Sequence, residues 1–228
     1  MSVLQIATIT TAIISVILLI PYQLNPFCMK HSLKVKFVCS SLFFLTGLFG
    51  FFSHGYSLYG LLMVIGLFCG VWGDFFLEYK PKTFITGVAF FSIGHLFYIA
   101  SIGFIKTPFI TEQWKIMLIG FIFTVLAAAA HIKIDKINFG SKSKFMYLYS
   151  LILIVSFLIA VTRGTLEIKN GNTASGICLI LAGALFMLSD AFLGSQLFGK
   201  PRLPHTEYWV AFTYFPAQTL FALTVMFQ

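Results

Sequence analysis

Val71-Trp72-Gly73-Asp74-Phe75-Phe76-Leu77 sets a carboxylate inside an otherwise uninterrupted apolar run. Five of the seven acidic residues (Glu78, Glu112, Asp135, Glu167 and Glu207) fall in or beside polar connections. Only Asp74 and Asp190 lie within hydrophobic segments, Asp190 in the similar phrase Leu188-Ser189-Asp190-Ala191-Phe192-Leu193. An ionisable group at membrane depth is costly, so it is read as functional and expected to have a partner. On this reasoning Asp74 and Asp190 are each other's partner and together perform chemistry.

The chain around them has 228 residues, 59% hydrophobic and only 10% charged. A soluble domain carries about 25% charged residues. The long apolar runs are each near the ~20 residues that cross a bilayer. The expectation is an all-α polytopic membrane protein, one domain over 1–228 made almost wholly of its spans. The net charge of +8 is spread over short loops. That fits anionic lipid headgroups and gives no nucleic-acid signature. Cys28, Cys39, Cys69 and Cys178 have no C-x-x-C spacing and read as reduced packing residues. The first apolar run lacks a basic flank and reads as a retained span.

Eight helices are expected, over 3–21, 37–53, 57–77, 83–105, 114–132, 145–162, 174–193 and 208–226, separated by short polar connections. Gly66 and Gly70 form a G-x-x-x-G face for close helix approach, and Ala127 to Ala130 and Ala182-Gly183-Ala184 suggest more. Of the fifteen Lys and Arg, eleven fall on the side of the odd-numbered connections (Lys30, Lys34, Lys36, Lys80, Lys82, Lys133, Lys136, Lys142, Lys144, Lys200 and Arg202). The other side holds Lys106, Lys115, Arg163 and Lys169. The positive-inside bias then puts the odd connections in the cytosol and both termini outside.

This topology places Asp74 and Asp190 at one depth, about one turn from the cytosolic ends of spans 3 and 7. Span 8 brings in Tyr214 and Gln218, four apart and so on one face. Span 4 brings His95 somewhat deeper. D-x-F-L occurs at both aspartates, an echo that a parallel duplication of about 1–110 and 111–228 would produce. Two carboxylates holding one proton between them supply an acid and a base at neutral pH. His95 suits either interhelical packing or catalysis, and Tyr214 and Gln218 suit either glue or substrate positioning. His95 is the only mid-span histidine, whereas zinc wants three or four ligands, so neither metal nor cofactor is expected. Lys34, Lys36, Lys80, Lys82, Lys200 and Arg202 would ring the cytosolic mouth, where they satisfy the positive-inside rule and could also hold a lipid phosphate.

At these residues the sequence resembles the YhhN family of eight-helix membrane proteins, which includes the lysoplasmalogenases. The matching phrases, in order, are Gly73-Asp74, Gly94-His95-Leu96-Phe97-Tyr98, Ser189-Asp190 and Tyr214-Phe215-Pro216-Ala217-Gln218. The family often has Lys-Pro at the start of the second span, whereas here Lys36 is followed by Phe37. The resemblance implies hydrolysis of the vinyl ether bond of a lysophospholipid substrate to a fatty aldehyde and a glycerophospho head group. It implies Asp74 and Asp190 as catalytic residues. His95, Tyr98, Ser189, Tyr214, Gln218 and Lys36 would contact substrate. Vinyl ethers resist base but cleave when an acid protonates the alkene carbon, so an acid, a carboxylate and an apolar slot suit the reaction. The 28 Phe would line that slot or simply face lipid. The expected location is the inner membrane of a bacterium or the endoplasmic reticulum membrane of a eukaryote. Two other classes fit intramembrane carboxylates. A proton-coupled transporter would move solute without making aldehyde. A metal-dependent lipid amidase would need more mid-span histidines.

Overall fold

The computed structural model describes residues 2–18, 32–103, 111–200 and 206–228. The expectations for Cys28, Lys30, His31, Lys106, Arg202 and His205, and for the far ends of the first and fourth helices, lie outside the described residues. Those residues form eight α-helices: α1 (Val3–Ile17), α2 (Ser32–Ser53), α3 (Leu58–Tyr79), α4 (Phe84–Gly103), α5 (Thr111–Ile134), α6 (Ser143–Lys169), α7 (Thr173–Phe198) and α8 (Thr206–Thr224). Short 3-10 turns, Pro81–Thr83 and Gly140–Lys142, lead into α4 and α6.

Six of the eight helices, α2 to α7, are long and apolar enough to cross a membrane. Within its described residues α1 is shorter. α8 is less apolar because four other helices cover most of it. It packs on α7, α2, α1 and α3, and it buries Thr213, Tyr214, Gln218, Thr219 and Thr224 against protein. A helix shielded from lipid can carry polar groups that bond to its neighbours. Around it, α2, α3, α4, α6 and α7 follow one another as packed neighbours. α5 packs on α6 and otherwise shows Ile116, Leu118, Ile122, Phe123 and Leu126 outward.

Several helices run past their expected ends. α2 starts at Ser32 and carries Lys36 on helix, not in a loop. α6 continues to Lys169 with Arg163 and Glu167 buried. Glu167 is therefore no loop carboxylate: its Oε2 accepts from Asn172 Nδ2 (2.9 Å) and Gln228 Nε2 (2.8 Å). α7 continues through Gly194 to Phe198. Ser195 secures this extension by donating to Ala191 O and to the Asp135 carboxylate.

The close helix approaches differ from the G-x-x-x-G expectation. Gly66 faces α4, where a Cβ would lie 2.4 Å from the Tyr98 ring and 3.0 Å from Gly94 O. Gly70 faces Gln218 of α8 and Phe43 of α2. A step of four residues turns the helix by about 40°, enough in this bundle to change the neighbour. The glycine ladders run across helix pairs: Gly66 with Gly94 and Gly73 with Gly87 between α3 and α4, and Gly164 with Gly176 between α6 and α7. Gly183 packs on Ala160 as expected of a close contact. Ala127 and Ala128 instead line a cavity.

These ladders predict a position-specific stability pattern. A Cβ on Gly164 would meet Gly176 O at 2.6 Å, and backbone cannot yield as a side chain can. Gly164→Ala should cost about 1–3 kcal/mol. Gly103→Ala, whose Cβ would meet no described residue within 4 Å, should stay within about 0.5 kcal/mol. Thermal unfolding of the detergent-solubilised chain distinguishes the two.

Candidate active site

One cavity of about 630 Å³ opens at the end of the bundle that carries the odd-numbered connections. Both aspartates line it, together with Lys36, Ser189 and Tyr214. Val88, Phe91, Leu153, Ile154 and Met187 give it an apolar interior, and Phe84, Phe139 and Phe198 stand at its mouth.

Asp74 lies five residues before the end of α3 and is only 2% exposed. Its Oδ2 accepts from the Tyr214 hydroxyl at 2.7 Å and from the Ser40 hydroxyl. Lys36 Nζ stands 3.7 Å from its Oδ1 and 3.7 Å from Glu78 Oε2. Lys36 and Ser40 are four residues apart on α2, so one helix face delivers both. Behind Tyr214 the bonding continues. Gln218 Nε2 donates to the Tyr214 oxygen at 3.3 Å, and Gln218 Oε1 accepts from the Tyr98 hydroxyl at 2.6 Å. Asp74 is thus the end of a chain of donors running through α8 to α4.

Asp190 lies eight residues before the end of α7, about 12 Å along the axis. The expectation of one turn falls short because α7 runs beyond Gly194. Its Oδ2 accepts from the Tyr149 hydroxyl of α6. No cation pairs with it among the described residues.

The aspartates are not each other's partner. They open to one cavity, but neither hydrogen-bonds to the other, and each has its own phenol. The physical reason is topological: α3 and α7 share no substantial interface, because α4 and α8 stand between them. One proton held between the two carboxylates is therefore replaced by two separate sites facing a common space.

The other expected site residues divide into two groups. Lys36, Ser189 and Tyr214 line the cavity, with Ser189 Oγ 3.3 Å from Val210 O. His95, Tyr98 and Gln218 stand behind its wall. Gln218 reaches it through the Tyr214 hydroxyl, and Tyr98 through Gln218. His95 Nδ1 lies 3.0 Å from Ser156 Oγ, and its ring packs edge-on to Phe186 at 4.4 Å. Its Nε2 is buried with no hydrogen-bond partner among the described residues. Two site residues escaped sequence reasoning. Ser40 was findable from its i+4 spacing to Lys36. Tyr149 sits in the buried stripe Met146, Tyr149, Leu153, which reads simply as core. Among the described residues no three His, Cys, Asp or Glu side chains gather as a metal site.

Among the described residues, the cavity's wall comes from α2 to α8 and the connections between them. A model of the YhhN family matches residues 32–225, the same stretch. The chain belongs to the YhhN family. No curated protein and no solved structure matches it. In this YhhN protein the residues of the matching phrases fall into two layers. Asp74, Ser189, Asp190 and Tyr214 face the cavity, and His95, Tyr98 and Gln218 brace the helices that present them.

The brace has a measurable consequence. Gln218→Leu leaves the Tyr98 hydroxyl without its acceptor in a buried position. The unfolding free energy of the solubilised protein should fall by about 1–3 kcal/mol.

Proposed function

We propose that this YhhN protein is a lysoplasmalogenase, cleaving the vinyl ether bond of single-chain alkenyl phospholipids. The observation that carries the reading is the pair of carboxylates lining one apolar cavity, on helices that do not pack together and in unequal surroundings. Asp74 has a lysine beside it and two hydroxyl donors on one oxygen, the company of an ionised carboxylate. Asp190 has a phenol and no cation. That inequality supports Asp190 as the proton donor and Asp74 as the base.

The steps then balance. Asp190 gives its proton to the alkene carbon remote from oxygen, leaving an oxocarbenium ion on the carbon bonded to oxygen. The Asp74 carboxylate takes a proton from water as the hydroxide adds to that carbon, forming a hemiacetal. The hemiacetal collapses as Asp74 returns its proton to the departing glycerol oxygen and Asp190 recovers one from the hemiacetal hydroxyl. Both carboxyl groups end as they began. Separated carboxylates suit this route, because substrate and water must fit between acid and base, as they do in inverting glycosidases. The apolar walls hold the hydrocarbon chain and keep bulk water from the cation. Lys36 and Tyr214 hold Asp74 in place. In this reading the cavity mouth faces the cytosol, as the distribution of lysines supports.

Asp74→Asn and Asp190→Asn should each lower aldehyde release from lysoplasmenylethanolamine by about 10²–10⁴-fold, the range of a lost general acid or base. Circular dichroism and elution volume should remain those of the parent. Turnover near the parent level in either folded variant would sink the mechanism.

A further inference from the structure

Beside the cavity mouth lies a second hollow, a basin lined by Asn138, Ser141, Lys142 and Lys200 together with Phe139 and Phe198. Phe139, Leu197 and Phe198 also line the cavity, so the two spaces adjoin across these side chains. The basin has two lysines in its wall and no carboxylate. Neither Lys142 nor Lys200 forms an ion pair among the described residues, whereas Lys36 at the cavity wall is engaged by Asp74 and Glu78. The Ser141 hydroxyl is a further donor in the wall, with no hydrogen-bond partner among the described residues.

The basin is built, not merely a place where lysines fall. Phe84, Phe139 and Phe198 form an aromatic collar, with centroids 5.8 Å apart for Phe84 and Phe198 and 5.1 Å for Phe139 and Phe198. Lys142 Nζ lies 4.4 Å from the centre of the Phe84 ring and 5.9 Å from that of Phe198. The rings hold this ammonium at the rim by cation–π attraction. Two backbone bonds fix the loop against the end of α7 and its exit: Asn138 N to Phe198 O (3.1 Å) and Lys200 N to Asp135 O (2.7 Å). An apolar cavity, an aromatic collar and a cationic basin follow one another, the order of chain, glycerol and phosphate in a lysophospholipid.

We propose that the Lys142–Lys200 basin binds the phosphate of a single-chain lipid whose hydrocarbon chain occupies the cavity. The proposal deepens the lysoplasmalogenase reading and rests on it for the identity of the lipid. It assigns phosphate recognition to Lys142 and Lys200, and leaves Lys36 to Asp74.

Binding tests this without any turnover. The full chain in neutral-lipid nanodiscs is titrated with two saturated ether ligands: hexadecyl-glycerophosphoethanolamine, which carries the phosphate, and hexadecylglycerol, which lacks it. The Lys142→Gln/Lys200→Gln variant should bind the phosphate ligand on the order of 10- to 30-fold more weakly, two lost lysine contacts. It should bind hexadecylglycerol as the parent does. Lys133→Gln/Lys144→Gln removes the same charge from the same end of the bundle and should change neither ligand. Unchanged affinity, an equal loss for both ligands, or an equal loss in the second variant would each overturn the proposal. So would displacement of the lipid by micromolar inorganic phosphate, which would make the basin a site for the free anion. Failure of aldehyde release with this binding pattern intact would remove only the lysoplasmalogenase reading. Failure of the parent to bind either ligand would remove both.

Discussion

A carboxylate buried in an apolar bundle has no water to fall back on, and the packing around Asp74 follows from that constraint. An unpaired buried charge is costly, and breaking its pairing costs several kcal/mol. Asp74 is satisfied by Ser40 and Lys36 from α2 and by Tyr214 from α8. Those donors exist only if α2, α3 and α8 meet at this depth. Through Gln218 the requirement passes to Tyr98 on α4. One acid group thus cross-links four helices, in a medium where backbone groups are already satisfied within each helix and side-chain donors are scarce.

The same constraint explains why α8 can be the least apolar of the inner helices. The polar side chains it buries find partners or protein walls: Thr219 bonds to Ser15 on α1, and Thr224 to Tyr59 on α3. The glycine ladders serve the other helix pairs, letting α3 approach α4 and α6 approach α7 closely enough for dispersion to hold them. α5 has neither device along most of its length. It is held by α6 and, near its end, by His131 and Asp135 against Ser195 of α7. A helix with so few buried contacts belongs to the low-stability end of the fold. It also forms one wall of the cavity, through Thr124, Ala127, Ala128 and His131.

The two aspartates line the cavity in different company. A lysine and two hydroxyls surround one, a single phenol the other. Had α3 and α7 packed together, the carboxylates would have competed for one proton and shared one environment. With α4 and α8 between them, each carboxyl is tuned by its own partners and the space between is left for a ligand.

The sequence by itself determined the helical membrane class, the order of the eight helices, the family and the two intramembrane carboxylates that line the cavity. Each of these is written in local pattern: runs of apolar residues about 20 long, polar punctuation, and an acid where none is affordable without a purpose. It also foretold the shared face of Tyr214 and Gln218, because helical spacing fixes that. Only the tertiary structure decided who faces whom. It turned Gly66 and Gly70 to different neighbours, gave Asp190 a tyrosine in place of Asp74, moved His95 behind the wall, buried Glu167, and set Lys142 over an aromatic collar. These outcomes depend on which helices stand side by side and how each is rotated about its axis, and lipid-facing and helix-facing stripes of equally apolar residues carry too little contrast to reveal that from the chain alone.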